Sequence, residues 1–593
     1  MTMPRTNRPK EAQPMVGWFD PRQLMSTGIE VAVSTVLGRH SDHRLIEAMI
    51  APKHDPPYDY TRHYKEPDTF EKLVPDEVRG ERREIWVDYV ADTGDGWDST
   101  YAVASALARP AMHAGTKSGS VETQRGDVLI MGGDEVYPTA NRKEYKRRLL
   151  LPFETALKEM KQGNPHVYAI PGNHDWYDSL VSFTRVFIGK DWFGGWFAPQ
   201  DRSYFALKLP QGWWLLGVDT QLGSDLDALQ LEYFEKALED MGEHDRVILC
   251  CAEPLWVLQA FYHHFDPEVY NESNLAYLNK EVLKGRVQVF IAGDLHHYRR
   301  HANEWGVQKI TCGGGGAFLH PTHAPKAEKL PGDELPADDA APGVKRVGPA
   351  YSIKCAYPDA RTSRRITWRN LLFPYYNPWF GLFIGFVYLV AAWAFKLPDP
   401  QLHYAEFGAY MTDMCRMLVD RPGASFWALL MLGAWIFFTD THSTVYKWCA
   451  GATHGFSHLA AVFVSGWLAM RAMDATGLLS LGYGWQFLLK AAIIFGVSGL
   501  LGSVVMGLYL LISLNVFGRH YNEAFSSLSI ADYKSFLRMH IDAEGKLTIY
   551  PFRIHRVPRN WMEQPGQTPA WAPAGGSMKV ELIEEPITVG RGG

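Results

Sequence analysis

Four long apolar stretches between residues 371 and 518 constrain this chain more than any other feature. None of them contains Asp, Glu, Lys or Arg; they cover residues 371–395, 423–439, 448–470 and 491–518. A helix needs about 20 apolar residues to cross a bilayer core about 30 Å thick. The sequence therefore predicts an α-helical transmembrane bundle of about four helices. The uncharged stretch 475–489 offers a re-entrant or fifth segment as the alternative.

Basic residues flank this hydrophobic region on both sides. They are Arg361, Arg364, Arg365 and Arg369 before the first stretch, and Arg519, Lys534 and Arg538 after the last. Because Lys and Arg concentrate on the cytoplasmic side of membrane helices, we expect both flanking domains to be cytoplasmic. Six cysteines, two of them adjacent, do not form a disulfide framework, which agrees with a reducing compartment. The N-terminus carries no apolar core of a secretory signal.

Short apolar runs rich in β-branched and aromatic residues alternate with helix-like segments between residues 85 and 312. This alternation predicts a layered α/β domain. A net charge of -6 and the lack of a long basic run give no reason to expect nucleic acid as a partner. Most apolar runs end in Asp, Glu, Asn or His beside Gly or Pro. Such a residue alone usually forms a turn, but five at successive strand ends indicate a site.

The strand-end groups follow a fixed order along the chain. They are Asp92-Thr93-Gly94, Gly133-Asp134-Glu135-Val136-Tyr137, Gly172-Asn173-His174-Asp175, Glu253-Pro254 and Gly293-Asp294-Leu295-His296. The series resembles the calcineurin-like metallophosphoesterase superfamily, whose blocks read D-x-H, G-D-x-x-[D/N], G-N-H-[D/E], a lone His and G-H-x-H. The resemblance implies a layered β-sandwich flanked by helices, two bound metal ions and hydrolysis of a phosphate ester.

Two departures from this pattern occur together at the first metal position. Gly94 replaces the His of the first block, and Tyr137 replaces the last residue of the second block. The pair is similar to the purple acid phosphatase branch, in which a tyrosine phenolate coordinates the metal. The resemblance then implies that one ion, Fe or Mn, is held by Asp92, bridging Asp134, Tyr137 and His296.

The second metal position departs from both branches. Glu253 replaces the lone His, and Asp294 replaces the first His of the last block. Together with Asp134 and Asn173, these residues would surround the ion with oxygen. Oxygen ligands suit hard cations better than zinc, so we expect Mn or Mg, or Ca as a further option, at this position.

The resemblance assigns His174 a role outside metal binding. It would hydrogen-bond the phosphoryl oxygens or protonate the leaving group. Tyr137 takes the place of the carboxylate that orients this His in many relatives, so Asp175 becomes the candidate to orient it. Further phosphate donors near in sequence are His297, Arg299, Arg300 and the backbone amides of residues 313–316. His320 and His323 are expected to be loop residues.

We divide the chain into five parts. They are an N-terminal segment without an assigned role (1–84), the metallophosphoesterase domain (85–323), a proline-rich linker with a returning strand (324–370), the transmembrane region (371–518) and a C-terminal cytoplasmic segment (519–593). The last part contains a predicted hairpin with its turn at Glu544-Gly545. We expect the hairpin to return to the α/β domain, and residues 351–357 offer a strand for it to pair with.

The sequence favours a membrane-anchored, two-metal phosphoesterase acting on a lipid phosphate or a soluble mono- or diester. The alternative is a non-catalytic metal-binding regulatory or interaction module on a membrane bundle. Four ionisable residues fall in or beside the apolar stretches: Asp440, His442, His454 and His458. Such groups mark a pathway or a ligand site, or they bond across the bundle to Ser, Thr or Tyr.

Overall fold

The computed structural model describes residues 8–28, 57–64, 78–158, 164–189, 191–220, 225–262, 273–336, 346–439, 443–564 and 566–590. Two nine-stranded sheets form the α/β part of these residues. The order of the first sheet is Tyr58–Asp59, Phe205–Leu209, Trp213–Gly217, Arg246–Cys250, Val287–Ala292, Gln308–Cys312, Tyr298–Ala302, Tyr351–Tyr357 and Lys329–Leu330. The order of the second is Glu581–Leu582, Leu547–Ile554, Lys534–Ile541, Ile85–Val90, Val128–Met131, His166–Ala169, Trp196–Phe197 and Trp192–Phe193, with Ile587–Val589 also pairing to Leu547–Ile554.

The two sheets pack face to face around one apolar core. This core joins side chains such as Tyr89 and Ile130 of the second sheet to Leu215, Ile248 and Ile291 of the first. The central strands of each sheet are parallel and buried on both faces, so they consist of continuous apolar runs rather than alternating ones. The result is a layered sandwich whose parallel strands deliver their C-terminal ends to one edge.

Helices cover the outer faces of the sandwich. Trp97–Leu107 and the helical segments Arg142–Glu144, Tyr145–Leu150 and Leu151–Ala156 pack on the second sheet, and Ala228–Ala237 and Leu255–Tyr262 pack on the first. Short hairpins complete this part: Ala111–Thr116 with Gly119–Gln124, Arg62–Tyr64 with Val78–Glu81, Glu334–Leu335 with Arg346–Val347, and Trp561–Glu563 with Trp571–Pro573. The mixed α/β, sheet-rich architecture with flanking helices agrees with the predicted fold class.

The apolar second half forms helices, but fewer of them are straight spans than the sequence suggests. Two helices, Thr444–Ala475 and Tyr483–Phe517, are long and apolar enough to cross a membrane. The count reaches four only if the bent pairs Ala360–Tyr376 with Pro378–Ala394 (61°) and Phe407–Asp420 with Pro422–Phe438 (98°) are each one span. Pro378 and Pro422 begin the second helix of each pair, and proline cannot continue a preceding helix. Within the uncharged stretch 475–489, residues 476–482 connect the two long helices and contain the short turn Leu478–Ser480, and residues 483–489 belong to the second long helix.

The C-terminal segment returns to the sandwich after the last apolar helix. Lys534–Ile541 and Leu547–Ile554 form a hairpin around Gly545, which has a φ of 78°. The hairpin extends the second sheet by pairing antiparallel to Ile85–Val90. Tyr351–Tyr357 pairs instead with Tyr298–Ala302 of the first sheet, so our expectation that it would pair with the hairpin was wrong.

The apolar residues between 24 and 50, interrupted by Gly28 and Gly38, suggest a helix in the N-terminal segment, and most of this stretch lies outside the described residues. The described part, residues 8–28, is irregular up to residue 20 and helical over residues 21–28.

Candidate metal centre

Three of the predicted ligands adopt the same unusual backbone conformation. Asp92, Asp134 and Asp294 each follow a central strand within three residues and have φ angles of 58°, 53° and 61°. The left-handed region costs a residue with a Cβ about 1–2 kcal/mol. Such strain persists where the surrounding structure imposes it, and it clusters at functional sites. A Cβ at Gly172 or Gly313 would collide with the carboxylates of Asp134 and Asp92, so glycine is required where these loops meet.

The phenol oxygen of Tyr137 is the point at which the first ligand set converges. It lies 2.9 Å from Asp92 Oδ1, 3.1 Å from Asp134 Oδ2 and 2.9 Å from His296 Nε2. The side chain is buried, and its single proton can serve only one of these three acceptors. The remaining lone pairs therefore face one another, an arrangement that a cation would stabilise.

The tautomer of His296 follows from its neighbours. Nδ1 lies 2.8 Å from the carbonyl oxygen of Phe318, which can only accept, so Nδ1 carries the proton and Nε2 presents a lone pair to Tyr137. His320 supports this ring by stacking on it at 3.9 Å and by accepting from the His296 backbone N–H at 3.3 Å. A carbonyl that holds the far nitrogen of an imidazole is the usual support of a metal-binding His.

The electrostatics of this cluster favour a bound cation. Burial, and next the carboxylate of Asp134, raise the pKa of Asp92 well above its usual value. Burial and then Glu253 raise the pKa of Asp294, and burial and then Asp134 raise the pKa of Tyr137. The second carboxylate oxygen of Asp92, Oδ2, is buried without a hydrogen-bond partner. These acidic groups fit a site for divalent ions, because a cation offsets both the burial of charge and the mutual repulsion.

The residues expected at the second metal position make fewer direct contacts with one another. Glu253 is an electrostatic neighbour of Asp294, and the backbone N–H of Asp294 donates to Asp92 Oδ1 at 3.1 Å. The amide of Asn173 donates to the Tyr177 hydroxyl at 3.4 Å. Among the residues that the structure describes, no three His, Cys, Asp or Glu side chains are grouped closely enough to hold an ion by themselves. An ion at this position would therefore need the oxygens of Tyr137 and Asn173 as well.

His174 is oriented by a backbone carbonyl. Its Nδ1 lies 2.6 Å from the carbonyl oxygen of Pro138, and its backbone N–H donates to Asp134 Oδ1 at 2.9 Å. Asp175 accepts instead from the Tyr145 hydroxyl at 2.6 Å and from the backbone N–H of Gly172 at 2.9 Å. Burial, and next Asp134, raise the pKa of Asp175 to about 8. In this structure Asp175 supports the loop backbone, and Pro138 fixes the imidazole.

Most of the phosphate donors proposed from the sequence have structural partners. Arg299 is buried and donates to the carbonyls of Thr322 and Pro325, and Arg300 forms a two-point ion pair with Glu584. His297 is fully buried. The amides of residues 313 and 315 donate to backbone carbonyls. Arg299, Arg300 and these two amides are thus engaged with other groups of the protein, whereas both ring nitrogens of His297 are buried without a hydrogen-bond partner.

Trp18 is a residue at the centre that the sequence did not reveal. Its ring lies 6.3 Å from that of Tyr137, 5.9 Å from that of His174 and 5.7 Å from that of Phe318, all edge-on. The segment before Trp18 is held in place by a hydrogen bond from the Val16 backbone N–H to Asp95 Oδ1 at 2.7 Å. No local signal predicts this packing, because Trp18 lies more than seventy residues before the first metal block.

The polar groups of the apolar helices bond mainly to one another. His454 and His458 face each other with their Nε2 atoms 2.9 Å apart, and His458 Nδ1 contacts the Tyr388 hydroxyl across the bundle. Asp440 and His442 lie outside the described residues. His323 bonds through Nδ1 to the Ser363 hydroxyl at 2.8 Å, away from the centre.

The candidate centre lies within the part of the chain that matches a family model. Residues 85–298 match the model of the Metallophos family, Calcineurin-like phosphoesterase. A comparison with curated protein sequences finds no significant match. Among solved structures, purple acid phosphatase PPD1 from yellow lupin (Lupinus luteus) seeds aligns at 16% identity over 40% of this chain, with a TM-score of 0.29. GAP50, the anchor in the inner membrane complex of Plasmodium, aligns at 10% identity over 48% of this chain and 93% of its own, with a TM-score of 0.28. This chain covers 45% of the lupin protein. The family model therefore covers the part of this chain that contains the predicted ligands from Asp92 to His296.

Proposed function

We propose that this protein is a membrane-anchored phosphoesterase that hydrolyses a phosphate mono- or diester with the aid of two metal ions. The family match supports metal-dependent phosphoester hydrolysis in general. The observation that carries the more specific proposal is the convergence of Asp92, Asp134 and His296 on the phenol oxygen of Tyr137. A cation would stabilise three acceptors that surround one buried hydroxyl.

The proposal assigns the ligands to two positions. Asp92, Asp134, Tyr137 and His296 would hold the first ion, Fe or Mn, and Asp134, Asn173, Glu253 and Asp294 would hold the second, Mn or Mg. Bound ions of this kind activate water as a nucleophile and neutralise charge on the ester. Burial disfavours the Tyr137 phenolate, so this side chain would ionise only when its proton is displaced by metal binding.

His174 is the chain's own group for proton transfer. The Pro138 carbonyl holds its Nδ1 proton, so Nε2 is the nitrogen left to meet a phosphoryl or leaving-group oxygen. Its backbone N–H simultaneously holds Asp134, so the same residue positions a bridging ligand and the acid–base group. Trp18 packs edge-on against both His174 and Tyr137 and would keep water from the unreactive side of the centre.

The membrane part of the proposal rests on the apolar helices. Thr444–Ala475 and Tyr483–Phe517 have the length and hydropathy of spans, and the two bent pairs would bring the total to four. An even number of spans and the flanking arginines would leave both ends of the chain in the cytoplasm. The phosphoesterase domain would then act at the inner surface of the membrane, on a lipid phosphate or a soluble ester.

Release of p-nitrophenol from generic phosphate mono- and diesters tests the enzymatic proposal. We expect activity in the full chain purified with Mn²⁺, its loss after chelation and its return with metal. Asp134→Ala and Asn173→Ala should both abolish it, because each removes a ligand. Arg346→Gln, an exposed change in the short strand Arg346–Val347, which carries no candidate ligand, is the matched control.

The outcomes separate the candidate functions. Activity that survives Asp134→Ala would refute the assigned site. A wild-type chain that binds metal at Asp134 but hydrolyses neither class of ester would instead favour the non-catalytic metal-binding module.

A further inference from the structure

A basic cleft separate from the metal centre lies in the C-terminal segment. It has a volume of about 700 Å³ and is bounded by residues 553–560 on one side and residues 573–581 on the other. None of the candidate metal ligands lines it. Its cations come from four side chains, Arg553, Arg556, Arg559 and Lys579; His555 also lines it, and its single acidic side chain is Glu581.

The ion pairs of the cleft leave part of this positive charge unbalanced. Arg553 pairs with Glu581 at 3.1 Å, and Arg559 pairs with Asp532 at 3.1 Å. Arg556 and Lys579 form no ion pair with any residue that the structure describes, and both are exposed to the cleft. Arg553 Nε is buried without a partner, so this guanidinium also retains an unused donor. The cleft is therefore suited to an anion that accepts several hydrogen bonds.

Residues of the cleft contact the chain both before and after the apolar helices. On the entry side, His555 Nδ1 lies 3.2 Å from the Tyr357 hydroxyl, and the Arg553 guanidinium lies 5.5 Å from the Tyr357 ring. Tyr357 ends the strand that leads directly into the helix Ala360–Thr367. The wall of the cleft thus touches the residue from which the chain turns toward the bundle.

Residues of the cleft also contact the segment that follows the last apolar helix. Asp532 Oδ1 accepts from the backbone N–H of Val557 at 2.9 Å and from Arg559 at 3.1 Å. Asp532 follows the short helix Tyr521–Ser526, which packs against the last apolar helix. If the apolar helices span a membrane, a cleft that contacts the chain on both sides of them would lie near the lipid headgroups.

The helix Ala360–Thr367 and the residues after it form a second basic surface. Its exposed arginines form no ion pair within the described part of the chain: Arg361, Arg364, Arg365 and Arg369. They are followed by exposed aromatic rings at Trp368, Tyr375 and Trp379. Arginines beside exposed tryptophan and tyrosine are typical of a membrane interface with anionic lipid.

We propose that the basic cleft binds the phosphate headgroup of an anionic phospholipid, with Arg556 and Lys579 as the principal contacts. Arg guanidinium and Lys ammonium groups are the side chains that best bind phosphate oxygens. The phosphate could be offered by a lipid or free in solution, and the position of the cleft beside the apolar helices favours the lipid. This assignment of the source rests on the proposed membrane anchoring, but binding itself does not depend on esterase activity.

Titration of the full-length protein in detergent with dioctanoyl phosphatidic acid tests this proposal by calorimetry. We expect saturable binding, and we expect Arg556→Gln with Lys579→Gln to weaken it by about tenfold or more. Arg142→Gln with Lys143→Gln removes the same charge from an exposed helix outside the cleft and should leave affinity unchanged. Thermal unfolding of each variant checks that the fold is retained. Asp134→Asn should bind as the wild type does, so this result is separable from failure of the proposed hydrolysis.

Three outcomes would overturn the proposal. They are equal affinity for dioctanoyl phosphatidylcholine, unchanged affinity in the Arg556 and Lys579 double variant, and inorganic phosphate binding as tightly as the phosphatidic acid. The last would identify a site for a free anion rather than for a lipid.

Discussion

The buried ion pair between Arg538 and Asp88 links the chain after the apolar helices to the first strand of the metal centre. Arg538 Nε lies 2.7 Å from Asp88 Oδ1 and Nη2 lies 2.9 Å from Oδ2, and the two side chains are 0% and 3% exposed. Asp88 Oδ2 also accepts from the backbone N–H of Gly126 at 3.0 Å. Replacing Arg538 by Met therefore leaves a buried carboxylate that accepts from the Gly126 N–H and has Arg125 as its electrostatic neighbour.

We expect Arg538→Met to lower the free energy of unfolding by about 3–5 kcal/mol, the usual cost of removing one partner of a buried pair. At about 2–4 °C per kcal/mol for a large domain, the melting temperature should fall by roughly 6–20 °C. Asp88→Asn combined with Arg538→Met should cost less than the two single changes added together, because no charge is left unpaired. Differential scanning calorimetry of the full chain in detergent measures these shifts.

The control for this prediction is an exposed ion pair. Lys236 and Glu232 pair on the surface of Ala228–Ala237, and Lys236→Met should change stability by less than about 1 kcal/mol. If Arg538→Met melts as the Lys236→Met control does, the hairpin does not dock on Ile85–Val90 and the described sheet order is wrong.

Three further predictions follow from the centre and the core. Trp18→Ala should lower kcat/KM for p-nitrophenyl phosphate by about tenfold at unchanged metal content, since it removes the ring that packs on Tyr137 and His174; an equal loss with Trp305→Ala, an exposed and remote change, would refute this role. Burial and then Arg82 lower the pKa of His166 to about 4, so the unfolded chain binds a proton that the folded chain does not. Stability should therefore fall by about 1.4 kcal/mol per pH unit from this group as pH drops from about 6.5 to 4, and His166→Gln should melt with a smaller acid shift than the wild type. Chelation should lower the melting temperature, because an ion at 1,000 times its Kd stabilises the folded chain by about 4 kcal/mol; an identical melt with and without chelator would contradict metal binding.

The sequence predicted those parts of the molecule that local signals determine. An apolar run followed by a polar residue beside glycine marks a strand end, so the strands that carry Asp92, Asp134 and Asp294 were identified without knowledge of the fold. Parallel strands deliver their ends to one edge, which is why Asp92 and Asp134 meet at Tyr137, where His296 joins them. The uncharged stretches predicted helices from a local signal too, because their length and apolar composition are those of a membrane span.

The features that the sequence missed depend on contacts between distant segments. The packing of Trp18 on the centre and the pairing of the hairpin with Ile85–Val90 join residues far apart in the chain, and nothing local encodes either. The partners of Arg299 and Arg300 lie in loops whose positions only the fold determines. The bend before Pro378 could have been predicted from the sequence, because proline ends a preceding helix. The uncharged composition instead suggested one straight span.

The claim that most of this account depends on is that Tyr137 and Asp134 hold metal together. The most direct measurement is the metal content per chain of the purified full-length protein, by mass spectrometry of the elements. We expect about two ions in the wild type, loss of both in Asp134→Ala, loss of at least one in Tyr137→Phe and full content in Tyr145→Phe. The last variant removes an equally buried hydroxyl that contacts Asp175 instead of the centre. A Tyr137→Phe protein with the wild-type metal content would contradict the account.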